Sequence, residues 1–134
     1  MNAILPESAL NGCRTLIVED EYFIAVLLER SLQDQGANIV ASLGRLSDAL
    51  EFARSDGFSA DAALIDVNLD GEMSFTLIDQ LISRSVPVIL LSGYDKHLLP
   101  TRFAGLPQLQ KPASMPQVIA AVRDAASVSS KQAE

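Results

Sequence analysis

The stretch that decides the fold is Ala62-Ala63-Leu64-Ile65-Asp66-Val67-Asn68-Leu69-Asp70-Gly71. Its first four residues are apolar without alternation, the pattern of a strand buried on both faces, and the run stops at an acid. Such a strand needs helices above and below it, and the flanking sequence supplies them. Upstream, Thr15-Leu16-Ile17-Val18 is a similar run that stops at Glu19-Asp20-Glu21. From Tyr22 the apolar positions Phe23, Ile24, Leu27, Leu28 and Leu32 recur at helical spacing until Gly36 closes the helix. Residues 37–43 read as a second strand, and Ser47 is placed to cap a short helix carrying Ala49, Leu50 and Ala53 that ends near Gly57. Downstream, a polar, glycine-containing loop leads into a helix over 74–85 with Phe75, Leu77, Ile78, Leu81 and Ile82 on one face. Val86-Pro87-Val88-Ile89-Leu90-Leu91 is the fourth and most apolar strand, with its proline where the ladder has barely begun.

Pro100 and Gly105 interrupt residues 95–106, which predicts a short or irregular fourth helix. Gln108-Leu109-Gln110 is a brief fifth strand before Lys111-Pro112. Ser114 then caps a last helix, with Pro116 in its first turn and Val118, Ile119, Ala121, Val122 and Ala125 behind it. Strands alternating with helices predict an α/β fold: a flavodoxin-like, doubly wound, five-stranded parallel sheet of the (βα)5 kind. At 134 residues this is one domain. The divisions expected are an N-terminal extension over 1–13, the domain over 14–128 and a flexible polar tail over 129–134.

Composition narrows the function classes. Hydrophobic residues make up 49% and aromatics only 5%, the aliphatic mix expected where helices cover a parallel sheet. The net charge of −7 argues against nucleic acid as a direct partner, because phosphate binding needs a basic face. Cys13 is the single cysteine and reads as a small apolar residue near the first strand, in keeping with a reducing compartment. No signal peptide and no membrane-length apolar stretch is visible. The expectation is a soluble, cytoplasmic protein with no membrane contact, monomeric or weakly homodimeric.

The polar residues sit where the strands stop. Glu19 and Asp20 follow the first strand, Asp66 the third, Ser92 the fourth and Lys111 the fifth. A parallel sheet brings its carboxyl ends to one edge, and in open α/β sheets ligands bind at that edge. Three acids, a hydroxyl and an ammonium therefore converge. Three neighbouring carboxylates resist ionising together, and a divalent cation removes the conflict; oxygen ligands with several waters suit Mg²⁺. A carboxylate beside Mg²⁺, flanked by Lys111 and Ser92, can attack a phosphoryl group whose charge those neighbours stabilise. Each residue alone has a bland reading, an acid or serine capping the next helix or a solvated lysine; capping seldom produces this set at four strand ends. Glu21 reads as a first-turn acid that favours the helix dipole.

On these residues the sequence resembles a response-regulator receiver domain over about 14–128. The matching pieces are Leu16-Ile17-Val18-Glu19-Asp20-Glu21, Leu64-Ile65-Asp66-Val67-Asn68, Leu91-Ser92-Gly93 and Gln110-Lys111-Pro112. The resemblance implies that Asp66 accepts phosphate from a phosphohistidine on a sensor histidine kinase. It also implies that Asp20, Asp66 and the backbone carbonyl of Asn68 hold Mg²⁺, with Glu19 acting through water. Ser92 would bond a phosphoryl oxygen, Lys111 would pair with it, and the Lys111-Pro112 peptide would be cis. The output would go to a downstream protein that the sequence does not identify, or the domain would serve as a phosphate sink or shuttle.

The sequence departs from the family pattern at Gln108, where typical receivers carry the Phe or Tyr that turns inward on activation. The broken fourth helix is a second departure. Both resemble a receiver subgroup called FATGUY, as does the loop over 66–74, although Pro87-Val88-Ile89-Leu90-Leu91-Ser92-Gly93-Tyr94 lacks the subgroup's Phe and Ala. Members are commonly stand-alone receivers paired with HWE-type or related histidine kinases. Tyr94, two residues beyond Ser92, would slow the water that hydrolyses the acyl phosphate, or else would simply pack on its loop. His97, the only histidine, lies in the broken segment and reads as having no phosphodonor role. Two other readings remain: a Mg²⁺-dependent phosphohydrolase with an aspartyl nucleophile, which would need an acid where Asn68 stands, and a degenerate receiver used only for binding.

Overall fold

A computed structural model of the chain describes residues 9–93 and 98–133, with side chains as far as residue 128. Tyr94, His97 and most of the N-terminal extension lie outside the described residues. Five strands form one parallel sheet: β1 (Arg14–Val18), β2 (Asn38–Leu43), β3 (Ala62–Asp66), β6 (Val88–Ser92) and β7 (Gln108–Gln110), in the order β2-β1-β3-β6-β7. Between them run α1 (Tyr22–Asp34), α2 (Leu46–Arg54) and α3 (Phe75–Ser83), and α4 (Met115–Ala133) closes the chain. The remaining pair, β4 (Asn68–Leu69) and β5 (Glu72–Met73), is a small antiparallel hairpin.

Strand pleating sorts the apolar residues onto two faces. Leu16, Val18, Ala63, Ile65, Val88 and Leu90 meet Ala49 and Ala53 of α2 and Leu77, Ile78 and Leu81 of α3. Ile17, Ala62, Leu64, Ile89 and Leu91 meet Leu28 and Leu32 of α1 and Val118, Ile119 and Val122 of α4. β3 and β6, central in the sheet, are buried at every position, as their unbroken apolar runs require.

The segment broken by Pro100 and Gly105 forms a 3-10 turn over Thr101–Phe103 and no α-helix among its described residues. Phe103 replaces what a longer helix would bury: it is 1% exposed, and its ring lies 6.1 Å from that of Phe75. Arg102 ties the turn to α3 through two hydrogen bonds to Asp79, at 2.9 and 3.1 Å.

Several local expectations are corrected. Ser47 lies inside α2, whose N-cap is Arg45, without a side-chain cap. Phe23 and Leu27 do not face the core of α1; its buried residues are Ala25, Leu28 and Leu32, and Ile82 of α3 is likewise exposed. Helical spacing alone cannot say which of two adjacent apolar stripes turns inward. Within the division that places a tail over 129–134, the α4 backbone continues as far as Ala133. Ser114 does cap α4, in a reciprocal box in which its hydroxyl accepts from the Gln117 N–H and the Gln117 side chain accepts from the Ser114 N–H. Gly36 has a second use besides ending α1. At φ +98° a Cβ there would lie 2.8 Å from the Asn11 backbone, which crosses it to bring Leu10 and Cys13 into the core. Burial pushes the Cys13 thiol up, in keeping with an inert apolar residue. No helix among the described residues is long and apolar enough to cross a membrane.

Arg84, just past α3, closes the open end of α2. Its guanidinium donates to the carbonyls of Ala53 (2.9 Å), Ser55 (3.0 Å) and Phe58 (3.4 Å), and lies 5.5 Å from the Phe58 ring centroid. A single forked cation thus satisfies three carbonyls that Lys could not reach together. Arg84→Ala should cost about 1–2 kcal/mol in urea denaturation, with an unchanged slope, and Arg84→Lys should recover little of it.

Candidate functional site

Register builds the site. Val18 pairs with Ile65, Asp66 with Leu91, and Ser92 with Gln110, so the residues that end β1, β3, β6 and β7 arrive at one edge of the sheet. Asp66 is the last residue of β3 and is 3% exposed. Its Oδ1 accepts from the Asn68 N–H at 3.0 Å, and its Oδ2 lies 2.8 Å from the Lys111 ammonium. Carboxylate oxygens of Glu19, Asp20 and Asp66 all lie within 4.8 Å of one another. A cleft of about 660 Å³ opens onto the group, with Asp20, Glu21, Asp66, Asn68, Gly93 and Lys111 in its wall.

Of the residues named from sequence, Asp20, Asp66, Asn68 and Lys111 line this cleft, and Glu19 lies buried beneath it. Ser92 ends β6 as expected but is 2% exposed and is not part of the cleft wall; its carbonyl accepts the Lys111 N–H at 2.8 Å. The Lys111-Pro112 peptide is cis. Gln108 stands exposed on the edge strand β7.

Three features were not legible as part of the site. Glu21 approaches Lys111 to 3.4 Å from the start of α1. The loop after Asp66 is a hairpin turned by Asp70 (φ +53°) and Gly71 (φ +92°), and the Asn68 side chain accepts from the Gly71 N–H at 2.7 Å. The Asp-Gly pair is the sequence signal for such a turn, but two-residue strands give no alternation to support it. Finally, Ser74 is fully buried, with its hydroxyl donating to the Asp66 carbonyl at 2.7 Å.

The electrostatics follow from crowding. Burial, together with the hydrogen bonding and negative charge of Asp66, pushes the Glu19 carboxyl up to about 8; the Glu21 N–H and Lys111 only partly counter this. Burial alone would draw the Lys111 ammonium down, but the hydrogen bond to Asp66 and the nearby Asp66 and Glu19 carboxylates win and hold it above its ordinary value. Glu19 Oε1 sits 3.0 Å from the ammonium as a charge contact, yet accepts no directed hydrogen bond. A buried carboxylate oxygen held only by this charge contact, beside two further carboxylates, belongs to a donor set that fits a hard divalent cation.

The raised Glu19 value fixes a pH dependence for metal-free protein. Its folded form holds a proton more tightly than the unfolded chain does. Its stabilising contribution is therefore complete below about 4.5 and is lost as pH rises towards about 8. The melting temperature should fall between pH 5 and pH 8. Glu19→Gln, which stays neutral, should flatten that fall; an equally steep fall in the variant would assign it elsewhere.

Comparison with known proteins adds a family. Residues 15–123 match the response regulator receiver domain. The chain is 31% identical over 122 residues to the transcriptional regulatory protein TcrA of Mycobacterium tuberculosis, covering 85% of this chain and 46% of TcrA. It spans less than half the length of the curated relatives it matches. The solution structure of SdrG from Sphingomonas melonis Fr1 is 37% identical, with a TM-score of 0.68 over 86% of this chain and 98% of SdrG. The receiver domain of the sensor histidine kinase PA1611 from Pseudomonas aeruginosa, solved with a magnesium ion in its active site cleft, shares the fold. Its TM-score is 0.73 at 20% identity, over 87% of this chain and 98% of that one.

Proposed function

Because the chain belongs to the response-regulator receiver family, we propose that it is a signalling phosphoacceptor that takes a phosphoryl group onto Asp66 from a sensor histidine kinase. The observation that carries this reading is the 2.8 Å pair of Lys111 Nζ and Asp66 Oδ2 inside a three-carboxylate cleft. An Asp66 oxygen attacks phosphorus, the O–P bond forms as the donor's N–P bond breaks, and the imidazole leaves. Lys111 exchanges its carboxylate partner for a phosphoryl oxygen. The Asn68 N–H holds Oδ1, so that the carboxylate presents a defined face to the donor. Ser92, moving from its buried position, would donate to a second phosphoryl oxygen.

Asp20, Asp66 and the Asn68 carbonyl, with Glu19 through water, would hold Mg²⁺. When bound it supplies positive charge for the transferring phosphoryl group. PA1611 offers a precedent for magnesium in this fold.

A protein partner on this side is supported by Tyr22, Phe23 and Leu27 at the start of α1, which are 73%, 86% and 52% exposed and follow directly on Glu21 of the cleft wall. We assign the partner to a histidine kinase of the HWE or a related type, and the chain to the FATGUY subgroup, with action as a stand-alone regulator or phosphate shuttle. The hydrolase reading loses its acid: Asn68 stands in that position, with its side chain engaged by Gly71.

The test is intact mass after incubation with acetyl phosphate and Mg²⁺. One added phosphoryl group is expected, and a protein left unmodified by acetyl phosphate and by histidine kinases alike would end the reading.

A further inference from the structure

We infer that Ser74 is a positioning residue for the phosphoacceptor: its hydroxyl pins the backbone of Asp66 and so aims the carboxylate. This rests on the reading of Asp66 above.

β1 pairs with β3 only as far as Val18 and Ile65, so the Asp66 carbonyl lies one residue past the last β1 partner. A buried carbonyl at a strand end needs a donor from elsewhere. Ser74 Oγ provides it at 2.7 Å and also reaches the Val67 carbonyl at 3.2 Å. The Ser74 N–H donates to the same Val67 carbonyl at 2.9 Å, while the Val67 N–H donates to Leu91. Ser74 is 0% exposed and makes no side-chain bond that would cap α3, although it stands at that helix's N-cap. The usual work of a serine in this position has been given up, and its hydroxyl points back to the acceptor.

The consequence is local. Asp66 ends a strand and begins a hairpin, and its side-chain direction depends on a backbone no longer held by the ladder on the β1 side. With Ser74 in place the 67–74 hairpin is closed at its base, the Asn68 N–H meets Asp66 Oδ1, and Oδ2 is left for Lys111. Without the hydroxyl, the strand end gains freedom where the reacting atom needs a fixed geometry.

The experiment compares Ser74→Ala, Ser74→Cys and Ser74→Thr with wild type. Cysteine fills nearly the same space with a weak donor, and threonine keeps the hydroxyl. At saturating Mg²⁺, phosphoryl uptake from acetyl phosphate should fall about tenfold in the Ala and Cys variants and be largely retained in Thr. Hydrogen exchange at the Asn68 amide should accelerate by a similar factor in Ala and Cys, relative to core amides such as Leu64, and this readout needs no phosphorylation. Ala and Cys variants with wild-type uptake and unchanged Asn68 exchange would overturn the inference, as would acceleration spread evenly over the core. If wild type itself takes up no phosphoryl group, the acceptor reading fails instead, and the role inferred for Ser74 goes with it.

Discussion

Asp66→Asn should take up no phosphoryl group from acetyl phosphate or from a histidine kinase, while folding as well as wild type. The variant keeps the shape of the side chain and an acceptor for the Asn68 N–H, so the hairpin that starts at residue 67 retains its anchor. What disappears is the nucleophile. Losing a nucleophile outright lowers a rate by about a thousandfold or more. Stability should not fall in step, because the substitution also removes one of three crowded carboxylates. Burial of Glu19 remains, but the negative charge of Asp66 that helps to push Glu19 up is gone. Metal-free Asp66→Asn should therefore melt at or above the wild-type temperature near pH 8, and Mg²⁺ should raise it less. Intact mass and thermal melts check both halves. An adduct persisting in the variant, on Asp20 or Glu19, would move the acceptor; a variant that fails to fold would show that the carboxylate is structural.

The frame of the site was legible because it is written in short, unambiguous signals. Unbroken apolar runs ending at Val18, Ile65 and Leu91 place acids and a serine at strand ends, and parallel pairing then leaves little choice about where they meet. What escaped was set by contacts between segments far apart in the chain or by elements too short to show a period. Phe103 anchors a stretch in which Pro100 and Gly105 erase helical periodicity, so only its packing on Phe75 reveals it as core. Phe23 and Leu27 look like core at helical spacing. Of the apolar set that runs from Phe23 to Leu32, the sheet takes only Leu28 and Leu32, with Ile24 packed beside them, and leaves Phe23 and Leu27 in solvent. Ser47 looks like a cap, yet it sits inside its helix, while Ser74 stands at the N-cap of α3 and turns its hydroxyl to Asp66. Local preference proposes such a cap; a competing buried carbonyl decides against it.

Lys111→Met, which keeps most of the apolar stem, should separate two properties that the ammonium now joins. In wild type the Lys111 ammonium lies 2.8 Å from Asp66, 3.0 Å from Glu19 and 3.4 Å from Glu21, so it neutralises the cleft when metal is absent. Removing it leaves buried acids without a counter-charge, a loss of about 3 kcal/mol for a pair partly open to water. The size of that loss depends on pH. Glu19, already pushed up to about 8 and so protonated at pH 5 in both proteins, would be pushed further, and the two proteins then differ in its proton only above about pH 8. The stability deficit should thus be present already near pH 5 and should widen above about pH 8. Added Mg²⁺ should recover more stability in the variant than in wild type, because Asp66 Oδ2 no longer shares its charge with an ammonium. Phosphoryl uptake should move the opposite way, falling about a hundredfold even at saturating Mg²⁺, because a donor aimed at the developing charge is gone. Urea denaturation at the two pH values and uptake by intact mass distinguish these effects. If Lys111→Met matched wild type in stability at pH 8, or took up phosphate as fast, the ammonium would be a neighbour of the acceptor rather than its partner.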